Sequence, residues 1–224
     1  MLPIMAKAVG YMKPDIDPNT RLYVPFNEGV GSVAKDYSQY CNHAVLMDVT
    51  WGIGINGNAS IYDGSTSFGD CGNDASLDFG TGAFSFLVRI KTAADGIIID
   101  KYAATGGGGQ MNFSINGNKL RGITYNSGVG IDFVGTSVTS TNNNWHPVVF
   151  VVDSGGTSAR LYLDGIQDGS KTGATAKSVT SDGTLKIGRD TSTRRFTGTI
   201  DEGLIIAKTQ TSYLILADTY EVAG

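Results

Sequence analysis

Cysteine, histidine and glutamate are scarce in this 224-residue chain, and each scarcity closes off a class of chemistry. Two cysteines, Cys41 and Cys71, supply neither a disulfide framework nor the spacing of a zinc site, and free thiols are expected. The histidines, His43 and His146, come with no Gly-x-Ser-x-Gly elbow, so a serine triad has no nucleophile to act on. Glu28, Glu202 and Glu221 have no acidic residue two or four positions away, and Asp201 and Glu202, being consecutive, should point to opposite faces of a strand. A retaining glycosidase needs two carboxyl groups about 5–5.5 Å apart, so the chain reads as non-catalytic. A glycoside hydrolase with acids converging from different strands is the minor alternative.

Positive charge is also short. Lys and Arg number 17 against 21 Asp and Glu, and the lone basic pair is Arg194-Arg195, which excludes the basic field that nucleic acid requires. No apolar run reaches the roughly 18 residues of a membrane span, so no membrane insertion is expected. Lys7 interrupts the apolar patch within residues 1–10, which therefore read as lacking a signal peptide.

Glycine, by contrast, is abundant at 31 residues. Asn-Gly or Asp-Gly stands at 56–57, 63–64, 95–96, 116–117, 164–165, 168–169 and 182–183, and both pairs tolerate the positive φ of tight hairpin turns. In the clearest hairpin, residues 111–115 and 119–123 alternate apolar and polar side chains around Asn116-Gly117-Asn118. Further strands are predicted over 22–26, 83–92, 96–102, 145–153, 159–163 and 185–188. A parallel fold would need crossover helices, and the single helical pattern is 209–220, with Tyr213, Leu214, Leu216, Ala217 and Tyr220 on one stripe and Thr209 or Thr211 as N-cap. The prediction is an all-β, antiparallel jelly-roll sandwich with a short C-terminal helix, occupying residues 21–224. Residues 1–20, with Pro3, Pro14 and Pro18, form an N-terminal arm or linker. An arm without a core of its own lies on its parent sandwich or on a neighbouring subunit, which suggests a homo-oligomer or assembly subunit.

The segment 196–206 (FTGTIDEGLII) follows LYLDG at 161–165 and LKIGRD at 185–190. Upstream stand LYVPFNEGVGSVAKDYS (22–38), ASIYDGSTSF (59–68), AFSFLVRIKT (83–92) and WHPVVFVVD (145–153). In this order the motifs resemble the laminin G-like family of the concanavalin A-like lectin/glucanase superfamily. The resemblance implies a concave-faced sandwich that binds glycans or proteins, in a superfamily that also holds glycoside hydrolases and viral surface domains. It suggests a surface-recognition or structural assembly module, decorating or adhering at a virion or cell surface, or a free-standing carbohydrate-binding lectin-like module.

A sugar site combines aromatic rings for stacking with amides and acids for hydrogen bonds. Trp51, Tyr102 and Tyr125 are the candidate platform, with Asn126 and Asn143, the middle of Asn142 to Asn144, alongside; the alternative is that these rings fill the sandwich. Trp145, opening a strong strand, is expected in the core. Asp201 lies in an otherwise apolar strand and needs compensation for desolvation. Either it accepts backbone N–H bonds that pin the N-terminal loop, or it joins Glu28, Asp36 and carbonyls of residues 29–38 in a structural Ca2+ site.

Overall fold

The computed structural model describes residues 17–102, 109–127, 129–137, 141–174, 178–191 and 193–209. Among them run sixteen strands. The first eight are β1 (Thr20–Val24), β2 (Val33–Ala34), β3 (Ala44–Met47), β4 (Thr50–Ile53), β5 (Asn58–Asp63), β6 (Phe68–Asp70), β7 (Phe84–Lys91) and β8 (Gly96–Tyr102). The rest are β9 (Gln110–Asn116), β10 (Lys119–Asn126), β11 (Val129–Val134), β12 (Trp145–Val152), β13 (Ala159–Leu163), β14 (Ile166–Lys171), β15 (Leu185–Ile187) and β16 (Thr197–Ile206). Among the described residues one 3-10 turn spans Ala75–Leu77. The helix predicted over 209–220 falls, beyond Thr209, outside the described residues, as does the arm up to residue 16.

Two eight-stranded antiparallel sheets pack as a sandwich. The first runs β14-β13-β12-β7-β16-β5-β4, with β1 also paired to β16; the second runs β11-β10-β9-β8-β15-β6-β3-β2. The first and last strands thus close on each other, with Val24 opposite Gly203 and Thr20 opposite Ile206.

Between the sheets lies one large apolar cluster centred on Phe84, Phe86, Phe113 and Phe150. Phe113 stacks on Phe150 at 5.8 Å and Phe84 meets Phe150 edge-on at 6.1 Å, geometries that add about 1 kcal/mol each beyond area burial. A Cβ on Gly122 would come within 2.3 Å of the Phe150 ring, so β10 can cross that ring only as glycine.

The first sheet is apolar on both sides. Leu87, Val149, Val151, Leu204 and Ile206 form a second buried cluster on its outer face, flanked by Tyr23 and Tyr162. That is why β7 and β12 read in the sequence as apolar density rather than as clean alternation. Strand parity also corrects one expectation. Val148, Phe150 and Val152 face the core, so Trp145 points the other way and sits half-buried at the strand's end.

Candidate functional site

Residues directly opposite each other in neighbouring strands share a face of the sheet. On the outer face of the second sheet, Asp132 stands opposite Ile123, Ile123 opposite Asn112, and Asn112 opposite Asp100. The row continues through Lys186 and Asp70 to Val45 and Val33. A parallel row places Tyr102 opposite Gln110 and Gln110 opposite Tyr125. Together these rows line a recess of about 440 Å³ formed by Asp100, Tyr102, Gln110, Arg121, Ile123, Tyr125 and Asp132, with Asp190 and Thr191 contributed by the loop after β15.

The recess is polar at its floor and aromatic at its edge. Asp100 is 1% exposed, and its Oδ1 accepts from Asn112 Nδ2 at 2.8 Å and from Gln110 Nε2 at 3.4 Å. Asn112 Oδ1 in turn accepts from Ser114 Oγ at 2.8 Å. Burial pushes the Asp100 carboxyl up to about 6, against the opposing pull of its two amide donors. Arg121 grips both oxygens of Asp132, at 2.8 and 2.6 Å. Tyr102 is half-buried, and Tyr125 is exposed.

The other half of the same face is apolar. Val45, Met47 and Phe68 line a second recess of about 750 Å³, rimmed by Cys41, His43, Asp70 and Cys71. Val45 and Met47 are each about half exposed, and Arg189 lies over the Phe68 ring at 4.4 Å. The two thiols are unbridged: Cys41 is exposed, whereas burial pushes Cys71 far above the ordinary thiol range.

Of the five predicted ligand residues, Tyr102 and Tyr125 meet in the polar recess. Trp51 lies on β4 of the opposite sheet, where its ring packs on the core and Nε1 donates to Gly31 O at 2.9 Å. Asn126 Nδ2 donates to Ser178 O at 2.7 Å and braces that loop. Asn143, with φ 62°, belongs to a loop whose Thr141 Oγ1 donates to Asn118 Oδ1 at 3.0 Å, at the hairpin end of β9 and β10 away from Tyr125. Sequence reasoning missed Asp100, Gln110, Arg121 and Asp132. The signal was present in Asp100-x-Tyr102 and Gln110-x-Asn112-x-Ser114, which place polar groups on one face of their strands.

The acids proposed for calcium hold separate partners. Asp36 accepts from Tyr23 N (2.7 Å), Ser38 N (2.8 Å), Ser38 Oγ (2.6 Å) and Asn42 N (2.7 Å), so it pins the N-terminal loop. Glu28 Oε1 accepts from Lys35 N at 2.9 Å. Asp201 Oδ2 accepts from Ile55 N at 2.9 Å and ties down the turn after β4, while its Oδ1 is buried without a partner. Among the described residues no three His, Cys, Asp or Glu side chains gather as a group that could hold a metal.

Asp201 and Glu202 do not simply alternate. The register of β16 against β7 shifts between Asp201 and Leu204, and Glu202 adopts φ 51°. This bulge lets both side chains reach the same turn, for Glu202 Oε1 accepts from Asn56 Nδ2 at 3.1 Å beside the Asp201–Ile55 bond. Arg89 Nε donates to Glu202 Oε2 at 2.5 Å and neutralises one of the two acids.

Comparisons with known proteins agree with this architecture. The Laminin_G_3 family model, described as the concanavalin A-like lectin/glucanases superfamily, matches residues 63–212. No curated protein sequence matches the chain. Among solved structures, the binding domain of Paraclostridial Mosquitocidal Protein 1 superposes with a TM-score of 0.69 at 15% identity, covering 86% of this chain and 49% of that one. Domain 4 of AbnA, a GH43 extracellular arabinanase from Geobacillus stearothermophilus solved in complex with arabinotriose, gives 0.65 at 14% identity, covering 86% and 94%. The binding domain of botulinum neurotoxin DC, in complex with rat synaptotagmin II, gives 0.64 at 15% identity, covering 87% and 50%. The chain thus spans about half the length of the two toxin domains.

Proposed function

We propose a recognition role for this chain, which belongs to the concanavalin A-like lectin/glucanase superfamily: it binds a glycan in the recess on the outer face of the second sheet and carries out no bond-breaking step. The observation that supports this most is the row Tyr102–Gln110–Tyr125 set beside the buried Asp100. Ring faces take the C–H surface of a sugar, and the amide and carboxylate take its hydroxyls. The likeness to an arabinanase domain solved with arabinotriose and to toxin binding domains supports a binding module of this kind.

A protein partner is the second reading, and it rests on the other half of the face, where Val33, Val45 and Met47 are 41%, 49% and 48% exposed. A glycan array that includes arabinotriose separates the two. Retention is expected on at least one oligosaccharide, and Tyr102→Ala and Tyr125→Ala should each weaken it by on the order of 1 kcal/mol, roughly fivefold. New reducing ends should not accumulate. Silence across the array would overturn the glycan reading.

A further inference from the structure

We infer that the polar recess selects uncharged sugars, by offering the Asp100 carboxylate as an acceptor to sugar hydroxyls, and turns away sugars that carry carboxylate or sulfate. The inference rests on the glycan reading of this recess and sharpens it to a ligand class.

The Asp100 side chain is the reason. It is 1% exposed and lines the recess, yet its described hydrogen bonds all go to one oxygen: Asn112 Nδ2 at 2.8 Å and Gln110 Nε2 at 3.4 Å meet Oδ1. No described residue donates to Oδ2. An ionised carboxylate only accepts, so a carboxylate oxygen that lines the recess without a described protein donor is open to a ligand O–H.

The recess lining carries three carboxylates, Asp100, Asp132 and Asp190, against one cation, Arg121. From β10, Arg121 is held by both oxygens of Asp132 on β11. From the segment after β15, Arg194 Nε lies 3.1 Å from Asp190 Oδ2, and Arg195 Nη1 lies 3.9 Å from its Oδ1. On β15, Lys186 stands in the row between Asp100 and Asp70, one cation between two acids, and its Nζ donates to Thr184 Oγ1 at 2.7 Å. On the recess face of β8 and β9 the remaining groups are neutral: Tyr102, Gln110 and Asn112. An acidic sugar would therefore bring a further negative charge beside the buried Asp100, into a recess whose lining carboxylates already outnumber its cations. Like charges at short range are costly where water is excluded. A neutral ring meets no such repulsion, because its hydroxyls supply the missing donor while Tyr102 or Tyr125 takes its C–H face.

Calorimetric titration at pH 7.5 against two probe sets tests this. The neutral set is arabino-, gluco-, galacto- and manno-oligosaccharides of three or four units; the acidic set is oligogalacturonates and sulfated galacto-oligosaccharides of equal length. Binding is expected from the neutral set, with acidic probes at least tenfold weaker, a comparison that needs only the wild-type protein. Asp100→Asn keeps the side chain's size while removing its charge, and should weaken neutral binding about tenfold or more and narrow the gap to the acidic set. Tyr125→Ala should weaken binding without altering that ratio. Acidic probes bound as tightly as neutral ones would overturn the selectivity and leave the glycan site standing. So would neutral binding that survives Asp100→Asn but falls in the tyrosine variants. No probe bound by the wild type would overturn the glycan reading and the selectivity with it.

Discussion

Asp201 and Asp100 are both aspartates whose carboxyls are raised on folding, for the same reason and with different consequences. Burial is the largest influence on each and pushes each carboxyl up to about 6. A carboxyl raised on folding binds its proton more tightly in the native state than in the unfolded chain. Its contribution therefore favours folding below about pH 4 and turns increasingly unfavourable as pH rises through about 6. At Asp201 this is a matter of stability alone, since the side chain sits in a closed turn beside Glu202. Asp201→Asn keeps an acceptor for Ile55 N and removes the charge. Thermal unfolding at pH 4.5 and pH 7 should show the variant gaining on the wild type at the higher pH, by on the order of 2 kcal/mol. An unchanged difference between the two pH values would contradict the assignment.

The desolvation of Asp201 is legible from the apolar strand around it, whereas nothing local announces that Asp100 will be desolvated. Lys101 shows the same limit. It reads as the polar end of a strand, yet it is fully buried, with Nζ donating to Asn73 Oδ1 and Asp78 Oδ1 at 2.7 Å and to Ser181 O at 2.8 Å. It joins two loops that lie about a hundred positions apart in the chain.

The strands themselves were largely readable. The hairpin of β9 and β10 forms where alternation and Asn116-Gly117-Asn118 predict it, and the Asp95 carboxylate secures the turn by accepting from Gly117 N at 2.6 Å and Asn118 N at 2.8 Å. β13 begins and ends at the predicted residues. Reading failed at the bulge of β16, where alternation breaks and the shift depends on a partner strand far away in the sequence, and at Trp145, where unbroken alternation with Val148, Phe150 and Val152 turns the ring away from the core. Gly122 is a further case of a strand residue set by its partner across the core. Gly122→Ala should cost about 1–3 kcal/mol in denaturant unfolding, through the collision with Phe150. The loss should shrink in a Phe150→Leu background, where the ring is gone. Additive losses would show that the contact is not the cause.

The sandwich was legible from the order of its motifs, since β16 carries the acidic ending and pairs with both β7 and β1. The recess was not. It is assembled across β8, β9, β10 and β11 and closed by the loop after β15, so its residues come together only through four strand registers. Trp51, a candidate platform by residue type, belongs instead to the edge strand β4 of the opposite sheet, where its Nε1 is held by Gly31 O. The fold thus gives one face two chemistries: an aromatic and polar half around Tyr102 and Tyr125, and an apolar half around Val45, Met47 and Phe68. The account stands or falls on the first half being where a sugar lies.

Backbone amide shifts in a 1H–15N correlation spectrum, followed while the tightest oligosaccharide from the array is titrated into the isotope-labelled protein, locate that contact. The account predicts movement concentrated on Asp100, Tyr102, Gln110, Arg121 and Tyr125, with β4 and Trp51 unmoved. Movement confined to β4, Trp51 or the outer cluster of the first sheet would contradict it.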